Sequence, residues 1–153
     1  QRAWADLPGL GLLADLNVTD ETTLYEQLGG EAGIRQLVTE FYDEMERNPD
    51  AAAILPLHAN LEDARQKLFE YFSGWLGGPP LYTSKYGHPR LRARHMHVPI
   101  GVEERDAWLI CMVNALKTMN LEEPVLLALL ERIVPLADHM RNQAQPNAEG
   151  NAP

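Results

Sequence analysis

The stretch Tyr86–Gly101, YGHPRLRARHMHVPIG, decides how the rest of the chain is read. It holds three of the five histidines, three arginines and two prolines. His88-Pro89 predicts a helix start, because proline at the first helical position gives up no needed N–H and already has helical φ. The predicted helix runs from Pro89 to about Met96. Pro99 then drives Val98 into an extended conformation and ends it. Leu91 and His95, four residues apart, share one face of that helix. Arg90 and Arg94 form a neighbouring row, and Arg92 points elsewhere.

An imidazole beside an apolar residue, flanked by guanidiniums that reach anionic groups, is what a haem requires. It needs one neutral imidazole on iron and cations near its two propionates. Other readings share the local pattern. A histidine on an apolar face is most often a satisfied core residue. His95-Met96-His97 would serve as half of a zinc or copper site, but no cysteine or acidic cluster at ligand spacing completes it. The arginines would also suit a nucleic-acid patch, yet the formal charge of −9 argues against general nucleic-acid binding.

Working outward, the periodicity is helical throughout and predicts an all-α chain. Thr23-x-x-Glu26 is a capping box for a short helix with Leu24, Tyr25 and Leu28 as its apolar positions, closed by Gly29-Gly30. A second helix spans about Glu31 to Arg47. Its stripe is Ile34, Leu37, Val38, Phe41, Tyr42 and Met45. Tyr42 therefore faces inward, and its hydroxyl must find a partner there; a backbone carbonyl is the plain expectation. Asn48-Pro49 breaks the helix, and a corner with His58 follows.

Asn60 is a good N-cap for a third helix, with Glu62 and Asp63 in its first turn. Its apolar stripe is Leu61, Ala64, Leu68, Tyr71, Phe72 and Trp75. Gly77-Gly78-Pro79-Pro80 stops it, and residues Leu81–Gly87 read as a loop. A fourth helix over Val102–Met119 is apolar around most of its circumference, including Trp108, and is expected to be the most buried. A fifth runs from Glu122-Glu123-Pro124 to about Arg141.

At 153 residues the chain is long enough for one domain with a real core. We divide it into an N-terminal extension (1–21), a helical domain (22–141) and a polar, disordered tail (142–153). Cys111 is the single cysteine, so no intrachain disulfide forms; this fits a reducing, cytoplasmic setting. No apolar run reaches the ~20 residues of a membrane span. The first residues are not read as a signal peptide, since Asp6 and Asp15 interrupt their leucines. No C-x-x-C-H motif is present, so a haem would be held non-covalently.

Several stretches together resemble the truncated haemoglobins of the second group, small globins with a two-over-two helical sandwich. These are Gly29-Gly30, Phe41-Tyr42, WLGGPPLY at 75–82, GHPRLRARH at 87–95 and ERDAWL at 104–109. The resemblance covers Leu24 to Met140. It implies that His95 is the proximal iron ligand, that Tyr42 and Trp108 are distal residues, and that His58 occupies the distal corner, with Leu57 as the alternative. Ala64 falls at the position of the usual globin distal histidine, with Leu68 and Phe72 lining the pocket and Arg94 beside the haem. The run Met96-His97-Val98-Pro99 departs from the family's usual Pro-Phe, and His97 is a rival ligand.

The resemblance further implies haem b as cofactor and O₂, CO, NO or peroxide as small ligands. It brings with it oxygen binding or transport, peroxidase or nitric-oxide-detoxifying activity, and an electron-donating reductase as partner. A haem-based sensor is a further reading, motivated by the N-terminal segment.

Overall fold

The computed structural model describes residues 22–58, 60–96 and 98–142. The N-terminal extension, His97 and residues 143–153 lie outside them. Helix α1 (Leu24–Gln27) has the expected capping box: the Thr23 hydroxyl accepts from Glu26 N at 3.1 Å, and Glu26 Oε1 accepts from Thr23 N at 3.4 Å. Helix α2 (Gly30–Arg47) follows Gly29, and Gly29 and Gly30 are both at positive φ. It closes against α1 at Gly33, where an added Cβ would drive into the Leu28 carbonyl. Both sides of that contact are backbone, so neither yields cheaply. Gly33→Ala is expected to cost about 3 kcal/mol of stability, read as a lower denaturant midpoint with an unchanged slope.

Two short 3-10 turns, Pro49–Ala51 and Leu55–Leu57, make the corner. Helix α3 (Leu61–Trp75) starts where expected, with Asn60 Oδ1 accepting from Asp63 N at 3.0 Å. Residues 81–87 do not form the loop expected from the sequence: α4 (Leu81–Tyr86) is helical. Pro79-Pro80 starts as well as stops, because Pro80 leaves Leu81 at a helix entry and Tyr82 buries against Tyr71 and Tyr86.

The helix expected from Pro89 is also corrected. Helix α5 spans only Leu91–Arg94. Arg90 has φ 45°, outside the right-handed helical region, and its N–H is taken by His88 Nδ1 at 3.0 Å. His95 N still donates to the Leu91 carbonyl at 3.1 Å, so His95 stands at the end of this single turn.

Helices α6 (Val102–Lys117) and α7 (Glu123–His139) complete the domain. Helix α2 packs along α3 on one side and α6 on the other, and α7 backs onto α6. The pair α2–α3 therefore lies over the pair α6–α7. The most buried helix is α2, with Ile34, Leu37, Val38, Phe41, Tyr42 and Met45 all in the core. The sequence expectation had favoured α6. Its outer face is open, with Ile110 40% exposed, because α2 and α7 cover only part of its circumference.

Glu44 ties α2 to α6. Its Oε2 accepts from Asn48 Nδ2 and from Asn114 Nδ2, each at 2.7 Å. The Asn114 bond leads, burial opposes it, and Asn48 and Arg47 add to it, so the carboxyl is held below its ordinary 4.5. A carboxyl lowered by folding contributes stability that is complete above its unfolded value and lost as pH falls through the folded one. The unfolding free energy is therefore expected to decline below about pH 4.5. In Glu44→Gln that acid decline should be shallower, measured by urea unfolding across a pH series.

Candidate functional site

Three of the residues singled out in the sequence meet around the Tyr42 hydroxyl. Tyr42 lies on the inward stripe of α2 and is 4% exposed. Its Oη donates to the Ala64 carbonyl on α3 at 3.5 Å, a long bond at the edge of what counts as one. The His58 ring stands edge-on to the Tyr42 ring, centroids 5.8 Å apart. His58 Nδ1 lies 2.9 Å from the Ile54 carbonyl, which can only accept. In the neutral ring the proton is therefore on Nδ1 and the lone pair on Nε2. Burial pushes the Tyr42 phenol well above its ordinary value, although Arg65 nearby works in the opposite sense. Tyr42 accordingly keeps its O–H through the whole neutral range.

Trp108 of α6 joins this group through Phe41. The Phe41 ring is 4.8 Å from that of Tyr42 and 5.2 Å from that of Trp108, edge-on in both cases. Phe41 is fully buried and Trp108 only half-buried. Phe41 was read from the sequence as one more core position; nothing in periodicity marks it as the spacer that sets Tyr42 against Trp108.

Helix α3 presents an incompletely covered apolar face. Leu61, Ala64, Leu68, Tyr71 and Trp75 fall within an arc of roughly 80° at 3.6 residues per turn. All five are half-buried, whereas Phe69 and Phe72 on the adjoining face are buried outright. Leu68 thus shares the row of Ala64. Phe72, expected to line the pocket, sits in the core with its ring stacked on Trp75 at 5.5 Å. The row meets α7 at Trp75, where Arg132 of α7 lies over the ring at 4.7 Å. No extended packing of α3 on α6 or α7 occurs among the described residues. Tyr71 and Trp75 also line a cleft of ≈ 250 Å³ bounded by Tyr82 and Pro89. Pro89 leads directly to α5.

Arg94 is the last residue of α5, and His95 follows it. Arg94 Nε donates to the Pro89 carbonyl at 2.6 Å, which folds the guanidinium back over the turn. His95 Nδ1 lies 2.8 Å from the Leu91 carbonyl. The same logic as at His58 puts the proton on Nδ1 and the lone pair on Nε2. His95 is exposed, and the described contacts do not connect it to the Tyr42 group.

A haem tests well against these residues. It needs one neutral imidazole with its second nitrogen already bonded, a flat apolar wall and a cation near its acid groups. His95, the α3 row and Arg94 offer each of these. Among the described residues, which leave out His97, no three of His, Cys, Asp or Glu converge to hold a metal ion. Among the described residues no helix is long and apolar enough to cross a membrane.

A family model described as bacterial-like globin matches residues 23–142. The group 2 truncated haemoglobin YjbI of Bacillus subtilis is 40% identical over 79% of this chain and 89% of its own length. The cold-adapted truncated haemoglobin of the Antarctic bacterium Pseudoalteromonas haloplanktis superimposes with a TM-score of 0.77. It is 41% identical and covers 80% of this chain and 99% of its own. A truncated haemoglobin structure from Bacillus subtilis gives a TM-score of 0.71 at 39% identity, over 79% of this chain and 100% of that one. The chain therefore belongs to the bacterial-like globins, as a truncated haemoglobin of the second group with their all-α fold.

Proposed function

We propose that this globin holds haem b non-covalently through His95 and binds O₂ and other diatomic ligands beside Tyr42, His58 and Trp108. The observation that carries the reading is the hydrogen bond between His95 Nδ1 and the Leu91 carbonyl. It sets the tautomer and turns the Nε2 lone pair away from α5, as an iron ligand requires. The bound haem would supply one open iron position for a small ligand. Ala64, Leu68, Tyr71 and Trp75 would form the apolar wall against the macrocycle. Arg94, with Nε held by the Pro89 carbonyl, keeps its amino groups for a propionate.

Around the ligand position the chain offers donors. Tyr42 stays protonated and can swing its O–H from the long Ala64 bond. Trp108 can only donate, through its indole N–H. His58, with Nε2 as an acceptor, is an alternative partner for Tyr42, whose single O–H proton serves either His58 or a bound ligand. The His58 ring, rather than Leu57, is the group set edge-on to Tyr42, which favours His58 at the distal corner. Such a pocket retains polar diatomic ligands. The truncated haemoglobin of Bacillus subtilis is described as oxygen-avid, which agrees with this reading. Retention suits redox chemistry on O₂, NO or peroxide, with a separate reductase as electron donor in a cytoplasmic setting, better than rapid delivery.

The test is a haemin titration of the purified chain, followed by reduction and CO. A Soret band that saturates at one equivalent and shifts with CO is expected. A featureless additive spectrum would overturn the reading and leave a globin fold without its cofactor.

A further inference from the structure

The single-turn helix that leads into His95 does not hold itself. Four residues make too short a helix to be stable alone, and the segment that follows it is exposed at Met96 and Pro99. What ties it down comes from the far end of the domain. Asn142, just beyond α7, makes four hydrogen bonds to the segment after α5. Its Nδ2 donates to the His95 carbonyl at 3.2 Å and to the Val98 carbonyl at 2.8 Å. Its Oδ1 accepts from Ile100 N at 2.9 Å, and its backbone N donates to the Ile100 carbonyl at 2.8 Å.

The His95 carbonyl also accepts from Val98 N at 2.9 Å, so Asn142 closes a turn that begins at the histidine itself. A second, separate tie holds the same end of α7. Asp138, near the end of α7, is bonded by Arg105 of α6 at 2.6 Å and by Arg141 at 3.3 Å. A carboxamide is well suited to this place, because it pairs an acceptor and two donors on one short arm.

We propose that Asn142 is a positioning residue for the iron ligand: its carboxamide fixes the main chain at His95 and thereby sets the angle at which the imidazole meets the iron. The inference rests on the reading of His95 as that ligand. Rotation of the His95 peptide would move the Leu91-bonded ring with it, so the bond from Asn142 and the bond to Leu91 control one coordinate from two ends.

The test compares wild type with Asn142→Ala, Asn142→Asp, Asp138→Asn and His95→Ala. Two quantities are read. One is the iron–histidine stretching band of the ferrous, unliganded haem protein, by resonance Raman. The other is amide hydrogen exchange at Val98 and Ile100 in the haem-free protein. Asn142→Asp keeps the acceptor for Ile100 N but loses both donors to the carbonyls. Both Asn142 variants are expected to shift and broaden the band and to release haem roughly tenfold faster, since groups that orient a metal-binding histidine matter on that scale. Asp138→Asn loosens the same end of α7 without touching the loop, and its band should stay at the wild-type position.

A wild-type band in Asn142→Asp and Asn142→Ala, with exchange accelerated at Ile100, would overturn the proposal and leave Asn142 as a plain loop staple. A band equally shifted in Asp138→Asn would overturn it as well. Loss of the band in His95→Ala supports the ligand reading on which the proposal stands. Its survival there would overturn that reading instead, whatever the Asn142 variants do.

Discussion

Replacing His95 with glycine should reduce haem affinity by on the order of 100-fold or more. Loss of a group that merely orients a metal-binding histidine costs about 10–100-fold, and here the ligand itself is removed. The expected readouts are a weak, blue-shifted Soret band, haem lost on gel filtration and no six-coordinate ferrous CO spectrum of the wild-type form. Added imidazole should restore much of the spectrum, because the α3 row and Arg94 are untouched and the missing part is one aromatic ring. The fold should survive: His95 is exposed and contributes no core packing. An unaltered spectrum in His95→Gly would move the ligand elsewhere, with His97 the nearest alternative.

The second large effect concerns ligand release. Tyr42→Phe with Trp108→Leu removes an O–H and an N–H from the proposed ligand pocket. Hydrogen bonds to charged partners contribute about 1.5–3 kcal/mol each, and each 1.36 kcal/mol is tenfold in rate. The O₂ dissociation rate should rise by roughly two to four orders of magnitude in the double variant, and by less in either single one. CO, which carries less charge on its outer atom, should respond weakly. Stopped-flow displacement of O₂ by CO measures this directly. An O₂ rate within threefold of wild type would show that neither group reaches the ligand.

Tyr42→Phe also touches the fold, through the 3.5 Å bond to Ala64. That bond is long and its loss is cheap, so the melting temperature should fall by no more than a degree or two. Trp108→Leu leaves Phe41 without its edge-on partner at 5.2 Å, and a somewhat larger drop is expected there. Stability and ligand release are thus separable in the two single variants.

The fold was legible in the sequence wherever a signal is local. Capping residues Thr23 and Asn60, the glycine pair at 29–30 and the apolar stripe of α2 all act within one or two turns of the chain. They placed the long helices to within a few residues. Local signals failed at α4 and at the start of α5. Pro79-Pro80 and His88-Pro89 look alike as punctuation. What separates them is that Tyr82 finds a buried berth against Tyr71, whereas Arg90 is held at positive φ by the His88 ring.

The candidate site divides the same way. The sequence by itself determined the chemistry: a histidine at the end of an LRAR turn, a tyrosine on an inward helical face, and motifs in an order that names the family. Only the tertiary structure decided who stands beside whom. Phe41 sets Tyr42 against Trp108, Ala64 receives the Tyr42 hydroxyl, Trp75 turns its row toward α7, and Asn142 closes on His95 from 47 residues away. Those partners are distant in sequence, so no periodicity records them. They are selected when the helices pack, because a buried hydroxyl or carbonyl must find a partner in whatever element folding brings next to it.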